Sequence, residues 1–425
     1  MSLGRQFLSA LLAEKTVSAL IKLGAIDHLF KDTELPAFQF IVDFATKHAA
    51  LPHPDTVAKE TGDVLAQANE PPSYYLAHMQ TRWKERQLKL TVSEIHKALE
   101  DGGGGVDAAT AAVSATSIEL LRRRYATQLV DLRDAHDAIV AAYKANHKPN
   151  KQGLFLGWPT LDSMTNGLQV GDTVAYVGRP GIGKTWQMLY GALYGWRRAE
   201  ADDEAPYGSS RLFVSMEMGV LPVEQRLVSM FTHLNVGDIK TGSLDSLELR
   251  TLQSGLMQLQ GAKAPFYVVD GNLSATVDEL ELLVRHLKPD ALFIDGAYLL
   301  KHPTERDRYK RVAENADLLK QRIASEFCPV VCSWQFKRAE TKKKAASIDD
   351  VTLDDIAYAD AIGQVSSLVL GLFEADDVET IKQRRVKVLK GRSGETGEFY
   401  AKWDFKNMDF SEVQAKEVGQ LSFVD

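Results

Sequence analysis

The apolar residues of the first hundred positions recur at helical spacing. Two sets lie three or four residues apart: Phe7, Leu11, Leu12 and Leu20, followed by Phe38, Ile41, Val42 and Phe44. This spacing places each set on one face of an α-helix. Prolines at 52, 54, 71 and 72 interrupt the pattern, and a glycine run follows at 102–105. The sequence therefore predicts several short helices up to about Glu100, in a small all-α N-terminal domain over residues 1–105.

A second helical pattern spans Thr116 to Asn146. Its apolar stripe consists of Leu121, Tyr125, Leu129, Leu132, Ile139 and Tyr143. The stripe predicts one long amphipathic helix, and we assign residues 106–152 to this linker helix and the linker after it. Either the chain's own core or a neighbouring subunit must cover the stripe, and the sequence leaves both open. The arginine run 122–124 fits a solvated helix face better than a nucleic-acid contact.

Beyond Leu154, short runs rich in β-branched residues alternate with helical stretches. The runs are Thr173–Val177, Leu212–Val214, Phe266–Val269, Ala291–Ile294, Val330–Cys332, Leu368–Leu372 and Arg385–Leu389. Alternation of this kind is typical of a largely parallel sheet covered by helices. We therefore assign residues 153–425 to one α/β domain.

Composition narrows the class of protein. The chain has 425 residues, of which 45% are hydrophobic and 25% are charged, as in soluble globular proteins. The net charge of −7 and the pI of about 5.9 argue against a broadly basic surface. A local basic channel stays possible, because phosphate contacts depend on where lysines and arginines lie and not on their total number.

The targeting and cysteine patterns favour the cytoplasm. Charged residues interrupt the first thirty positions, and no stretch approaches the roughly 18 uncharged apolar residues that a membrane span needs. The two cysteines, Cys328 and Cys332, lie in an apolar run. We interpret them as buried strand residues, because one such pair supplies only half of a zinc site.

One segment carries a phosphate-binding pattern. Every required position fits in the consecutive residues Gly178, Arg179, Pro180, Gly181, Ile182, Gly183, Lys184 and Thr185. A predicted strand precedes them and a helical stretch follows from Trp186. Glycines let backbone N–H groups approach phosphates, and the helix directs its positive dipole end at them. Lys184 would reach the β- and γ-phosphates of ATP, and the Thr185 hydroxyl would hold Mg²⁺.

Two acidic residues come directly after predicted strands. Asp295 follows the run Leu292–Ile294, where a carboxylate suits the hydration shell of Mg²⁺. Glu217 lies just beyond Leu212–Val214. In an open α/β sheet such strand ends surround the ligand. Glu217 is therefore the candidate that orients and deprotonates the attacking water.

The order of the motifs over residues 154–410 resembles the DnaB-like replicative helicase family, including its bacteriophage members. The matching segments are Gly157–Asp172, the pair Arg179–Pro180, Ser215–Met218, Ile239–Leu244, Asp295, Pro329–Arg338 and Lys390–Gly394. The resemblance implies a RecA-like P-loop ATPase core. It makes Glu217 the catalytic glutamate and Gln335 the sensor of the γ-phosphate. It also implies that Lys390 and Arg392 reach the ATP bound by an adjacent subunit.

The family's activity follows from the resemblance as an expectation. Such proteins form homo-hexameric rings that hydrolyse ATP between subunits and translocate 5′ to 3′ on single-stranded DNA. A primase and a helicase loader are the expected partners. The linker helix would then dock on the neighbouring core.

The chain departs from the family at several positions. Trp334 stands where the family has a small polar residue, and Gly296 replaces a tyrosine after Asp295. The segment that carries DNA contacts in the family has Ala357, Tyr358 and Asp360 here. A basic segment just upstream supplies candidate DNA contacts alongside Tyr358, and a solvated loop is an equal alternative. These candidates are Lys337, Arg338, Lys342, Lys343 and Lys344.

Three other functions share parts of this pattern. A recombinase filament has the same core without the combination of Ser215–Met218, Lys390–Arg392 and a helical N-terminal domain. A ring ATPase can act as a regulatory scaffold without unwinding DNA. An inactive ring can recruit primase or a loader, although the complete set of Lys184, Thr185, Glu217 and Asp295 weighs against inactivity.

Overall fold

The computed structural model describes fourteen stretches of the chain. These are residues 2–15, 17, 20, 26–48, 50–65, 67–100, 105–121, 136–146, 153–197, 210–271, 275–335, 359–374, 382–392 and 394–413. The chain divides into two compact units, Met1–Ala142 and Tyr143–Asp425. The three predicted domains stay predictions.

The first unit is helical. Its helices are α1 (Leu3–Ala13), α2 (Leu35–His48), α3 (Pro54–Thr61), α4 (Pro72–Glu100) and α5 (Gly105–Leu121). Apolar side chains of α1, α2 and α4 bury one core, in which Phe7, Ile41 and Met79 are fully shielded from solvent. The helical prediction for this region is confirmed.

Its helix boundaries differ from the prediction in two places. Instead of several short helices, residues 72–100 form one helix of 29 residues. Pro72 begins this helix, where a missing N–H costs nothing, and the predicted interruption at the proline pair separates it from α3. Helix α5 begins at Gly105, well before the predicted Thr116, and α6 (His136–Asn146) ends as predicted. Residues 122–135 lie outside the described residues, so the continuous linker helix stays a prediction.

One buried ion pair stabilises the first unit. The Glu34 carboxylate, 1% exposed, accepts hydrogen bonds from Arg82 Nη2 at 2.8 Å and from the Lys31 backbone N–H at 2.9 Å. Burial raises the pKa of this carboxyl, but the hydrogen bonds from Arg82, Lys31 and Ser2 outweigh it and bring the pKa to about 2. The charged form of Glu34 is therefore part of the folded structure at neutral pH.

The second unit is built on one eight-stranded sheet. Its strands are β1 (Thr173–Gly178), β2 (Arg211–Ser215), β3 (Phe266–Asp270), β4 (Ala291–Asp295), β5 (Val330–Gln335), β6 (Leu368–Glu374), β7 (Gln383–Lys390) and β8 (Gly397–Lys402). Their order is β3-β2-β4-β5-β1-β6-β7-β8. Pairing is parallel from β3 to β6 and antiparallel from β6 to β8. The predicted α/β fold with a largely parallel sheet is confirmed, and β8 is an additional strand.

Helices cover both faces of this sheet. They are α7 (Pro159–Thr165), α8 (Lys184–Arg197), α9 (Val220–Thr232), α10 (Val236–Thr241), α11 (Ser246–Gln260), α12 (Val277–Leu287), α13 (Arg308–Leu318) and α14 (Ala359–Val365). Alternate strand residues enter opposite cores: Tyr176 packs with one, and Val177 with the other. Cys328 and Cys332 are buried beside and within β5, as predicted.

The register brings four strand ends together. Gly178 at the end of β1 pairs with Gln335 of β5. Ser215 of β2 pairs with Asp295 of β4, and β4 pairs with β5. The carboxyl ends of β1, β2, β4 and β5 therefore lie along one edge of the sheet, where open α/β sheets bind ligands.

Candidate functional site

The phosphate-binding pattern forms a loop between β1 and α8. Gly178 ends the strand, and Lys184 begins a helix of 14 residues. Gly183 has a φ of +106°, and a Cβ atom there would overlap the ring of Trp403. Only glycine fits both the backbone angle and this close contact. The loop therefore leads directly from the end of a strand into the N-terminus of a helix, an arrangement suited to phosphate groups.

Lys184 lies inside this loop. Its side-chain ammonium donates hydrogen bonds to the carbonyls of Gly178, at 2.9 Å, and Arg179, at 3.1 Å. Burial lowers the pKa of Lys184, while the nearby carboxylates of Asp295 and Glu217 oppose that shift. The side-chain nitrogen of Lys184 is thus held against the backbone of the loop by two hydrogen bonds.

Asp295 joins the loop to the neighbouring strands. Its Oδ2 accepts a hydrogen bond from the Thr185 hydroxyl at 2.6 Å, and its Oδ1 accepts one from the Ser333 hydroxyl at 2.8 Å. The residue is 2% exposed, and this burial raises the pKa of its carboxyl against the effect of the two hydrogen bonds. A divalent cation would favour the charged form of such a carboxylate. Thr185 and Asp295 therefore fit a magnesium ion that is bound together with nucleotide phosphates.

Glu217 and Gln335 meet through a third side chain. The Tyr298 hydroxyl donates a hydrogen bond to Glu217 Oε1 and accepts one from Gln335 Nε2 at 2.6 Å. Glu217 follows β2, Tyr298 follows β4 and Gln335 ends β5. The predicted catalytic base, Glu217, and the predicted sensor, Gln335, are thus linked at the same sheet edge as the phosphate loop.

The sequence analysis did not identify four residues of this site. They are Tyr298, Ser333, Arg384 and Trp403. The Arg384 guanidinium lies 4.5 Å from the centre of the Trp403 ring, and its Nε donates to the Ile182 carbonyl at 3.3 Å. Alternation along β5 was the available signal for Ser333, because it lies on the same strand face as Gln335. Trp334 lies on the opposite face of β5 and packs in the same core as Val177.

Lys390 and Arg392 lie at the other edge of the sheet, where the amino ends of the parallel strands β1 and β6 are found. Lys390 pairs with Val369 near the start of β6, and its ammonium donates to the Gly363 carbonyl at 2.6 Å. Arg392, whose side chain is 51% exposed, forms an ion pair with Asp172, directly before β1. The six residues of β1 span about 20 Å at roughly 3.3 Å each. This distance from the chain's own phosphate loop exceeds the length of an arginine side chain.

The candidate DNA contacts lie outside the described residues. These are Lys337, Arg338, Lys342, Lys343, Lys344 and Tyr358. Within the described part of the chain, none of the helices has the length and apolar character that a membrane crossing requires.

Known proteins are similar in sequence to the part of this chain that carries the candidate site. Residues 153–412, more than half of the chain, match the family model of the DnaB-like helicase C terminal domain. The chain is 24% identical over 278 residues to a probable plasmid replicative DNA helicase of Chlamydia muridarum, covering 64% of this chain and 58% of that protein. It is 25% identical over 297 residues to the replicative DNA helicase DnaC of Bacillus subtilis, covering 66% and 62%. The chain thus spans less than two thirds of the length of these relatives.

A solved structure is similar in fold over more of the chain than the family model matches. A DnaB-like replicative helicase, studied for its interactions with primase, superposes with a TM-score of 0.64 and 17% identity. The match covers 97% of this chain and 99% of that one. At this identity the match shows a shared fold, and it includes the helical part that the family model leaves out.

Proposed function

Because this chain belongs to the DnaB-like helicase family, we propose that it is an ATP-dependent replicative DNA helicase that works as a homo-hexameric ring in the cytoplasm. The ring translocates 5′ to 3′ on single-stranded DNA and unwinds duplex DNA. One observation carries the proposal: the residues expected to act together in ATP hydrolysis lie at two opposite edges of the sheet. Lys184, Thr185, Glu217 and Asp295 share one edge, and Lys390 and Arg392 occupy the other.

Each side chain at the loop edge has a defined task in hydrolysis. When bound, MgATP supplies the γ-phosphoryl group and a metal ion that spreads its developing charge. Lys184 and the loop amides bind phosphate oxygens, while Thr185 and Asp295 hold the metal. Glu217 accepts a proton from the attacking water at Oε2, while Oε1 accepts the hydrogen bond from Tyr298.

The opposite edge completes the site of an adjacent subunit. A ring places one edge of each core against the other edge of the next. Arg392 then stabilises charge at the phosphoryl group held by its neighbour, and Lys390 binds beside it. The partly exposed guanidinium and the distance from its own loop support this role in trans.

An apolar groove supports docking of the linker helix on a neighbouring core. The groove lies between α9, α11 and β3 and is lined by Leu221, Val228, Leu256 and Phe266. Leu221 is 63% exposed and Leu256 is 45% exposed, so the groove presents apolar surface to solvent. Ile139 of α6, at 66% exposure, is an apolar residue of the helix that we propose to occupy this groove in the next copy.

A forked DNA substrate tests the function directly. We expect strand separation in the presence of ATP and Mg²⁺ when the fork carries a free 5′ single-stranded arm, and none when it carries only a 3′ arm. We expect six-membered rings by electron microscopy, with ATP hydrolysis stimulated by single-stranded DNA. Helical filaments on DNA would indicate a recombinase, and DNA-independent hydrolysis without unwinding would indicate a scaffold. Binding of a primase and a loader is the accompanying proposal, and co-sedimentation with the rings tests it.

A further inference from the structure

Three side chains from three strand ends form a continuous hydrogen-bonded series. It runs from the Gln335 amide through the Tyr298 hydroxyl to the Glu217 carboxylate. We propose that Tyr298 is a positioning residue for ATP hydrolysis, which holds the Glu217 carboxylate in its working orientation and links it to Gln335. The inference rests on the proposed ATPase function and assigns a role to a residue outside the phosphate loop and the metal site.

The backbone around Gly296 directs Tyr298 into this position. Gly296 has a φ of +88° and is followed by a short 3₁₀ helix, Ala297–Leu299. Its N–H donates to the Ser333 hydroxyl at 2.7 Å, and the same hydroxyl donates to Asp295. A Cβ atom at Gly296 would lie 3.3 Å from Glu217 Cγ. The turn after Asp295 therefore lets Glu217 approach while it returns the tyrosine to the site.

Tyr298 is buried and held in place, whereas Glu217, to which it donates a hydrogen bond, is exposed. Tyr298 is 7% exposed, and its ring packs in the second core of the sheet. Glu217 is exposed at the end of β2, and an exposed glutamate samples several rotamers. A hydrogen bond to Oε1 from a fixed hydroxyl restricts those rotamers and leaves the other oxygen for the water. Orientation of this kind contributes to the rate of the chemical step and not to nucleotide binding.

The tyrosine keeps its proton under working conditions. Burial, the hydrogen bond to Glu217 and the charges of Glu217 and Asp295 raise the pKa of Tyr298 above its ordinary value. The hydroxyl therefore remains a donor to Glu217, and its oxygen accepts from Gln335. A glutamine amide has two N–H groups, so Gln335 can donate to Tyr298 and to a phosphate oxygen at once. Tyr298 thereby connects detection of the γ-phosphate with the orientation of Glu217.

The substitution Tyr298→Phe removes the hydroxyl and keeps the ring. We expect kcat for ATP hydrolysis to fall about tenfold to a hundredfold, as for the loss of a hydrogen bond to a charged group, while KM and the unfolding temperature stay near wild type. Tyr176→Phe is the matched control, because Tyr176 is buried in β1 and its hydroxyl has no hydrogen-bond partner among the described residues. Its kcat should equal that of the wild type.

A double variant separates positioning from packing. In a Glu217→Gln background, Tyr298→Phe should add no further loss, since the group that it positions is gone. A kcat for Tyr298→Phe equal to that of the control overturns the inference, as does an independent loss in the double variant. Those results leave the proposed ATPase intact, because the wild type still turns over. A wild-type chain that never hydrolyses ATP overturns both.

Discussion

Replacing Arg392 by alanine tests whether catalysis uses two copies of the chain. The guanidinium lies at the sheet edge opposite its own phosphate loop, about 20 Å away along β1 at roughly 3.3 Å per residue. It therefore cannot act in its own site. An arginine supplied in trans contributes on the order of 10³–10⁵ in rate. We expect Arg392→Ala to lose activity on that scale while binding ATP with nearly unchanged affinity.

Mixing two strongly impaired variants, each with residual activity alone, gives the decisive measurement. Glu217→Gln subunits lack the base but retain the arginine, and Arg392→Ala subunits have the opposite defect. In randomly mixed rings, about one interface in four combines an intact Glu217 with an intact neighbouring Arg392. ATP hydrolysis should rise toward a quarter of wild type, as should the DNA-stimulated rate. Lys310→Ala, at an exposed position of α13, is the control and should remain active. If the mixture is as inactive as its components, the trans arrangement is refuted.

Three further predictions concern the loop, the first unit and the groove. Lys184→Ala should abolish ATP hydrolysis, because it removes the cation at the phosphates; wild-type turnover in a phosphate-release assay would exclude the loop from the mechanism. The contribution of charged Glu34 to stability is present above its ordinary pKa of 4.5 and is lost as pH falls toward the folded value of about 2. Arg82→Ala should therefore destabilise α1–α4 by about 1–3 kcal/mol at pH 7 in hydrogen exchange, with the difference shrinking toward pH 2; a pH-independent difference would contradict the ion pair. Leu256→Asp should weaken ring assembly in light scattering without unfolding the chain, whereas intact rings would place the linker helix elsewhere.

Local patterns were sufficient to predict most of the sheet and the phosphate loop. Strands β1 to β7 and the segment Gly178–Thr185 are encoded by consecutive residues, so short windows reveal them. Strand β8 was missed although Phe399 and Ala401 alternate with less buried residues, because two such positions form a weak signal. The proline pair at 71–72 correctly indicated a break in the helical pattern, because α3 ends at Thr61 and α4 begins at Pro72.

The contacts that escaped prediction join residues far apart in the chain. Arg392 meets Asp172 across most of the second unit, and no local window contains both. Tyr298 reaches Glu217 only because the backbone turns at Gly296, a position that looked like the loss of a family tyrosine. Such contacts depend on sheet order and register, which set the distances only after the fold has formed.

The two buried cysteines make the chain convenient for site-specific labelling. The chain has two cysteines in all, and both thiols are shielded from solvent. Burial raises the pKa of Cys328 to about 12 and that of Cys332 further, so neither thiol provides the thiolate that maleimide reagents need. A cysteine introduced on the surface would thus carry a dye alone, without removal of the native ones. Fluorescence energy transfer between labelled copies could then follow subunits within a working assembly.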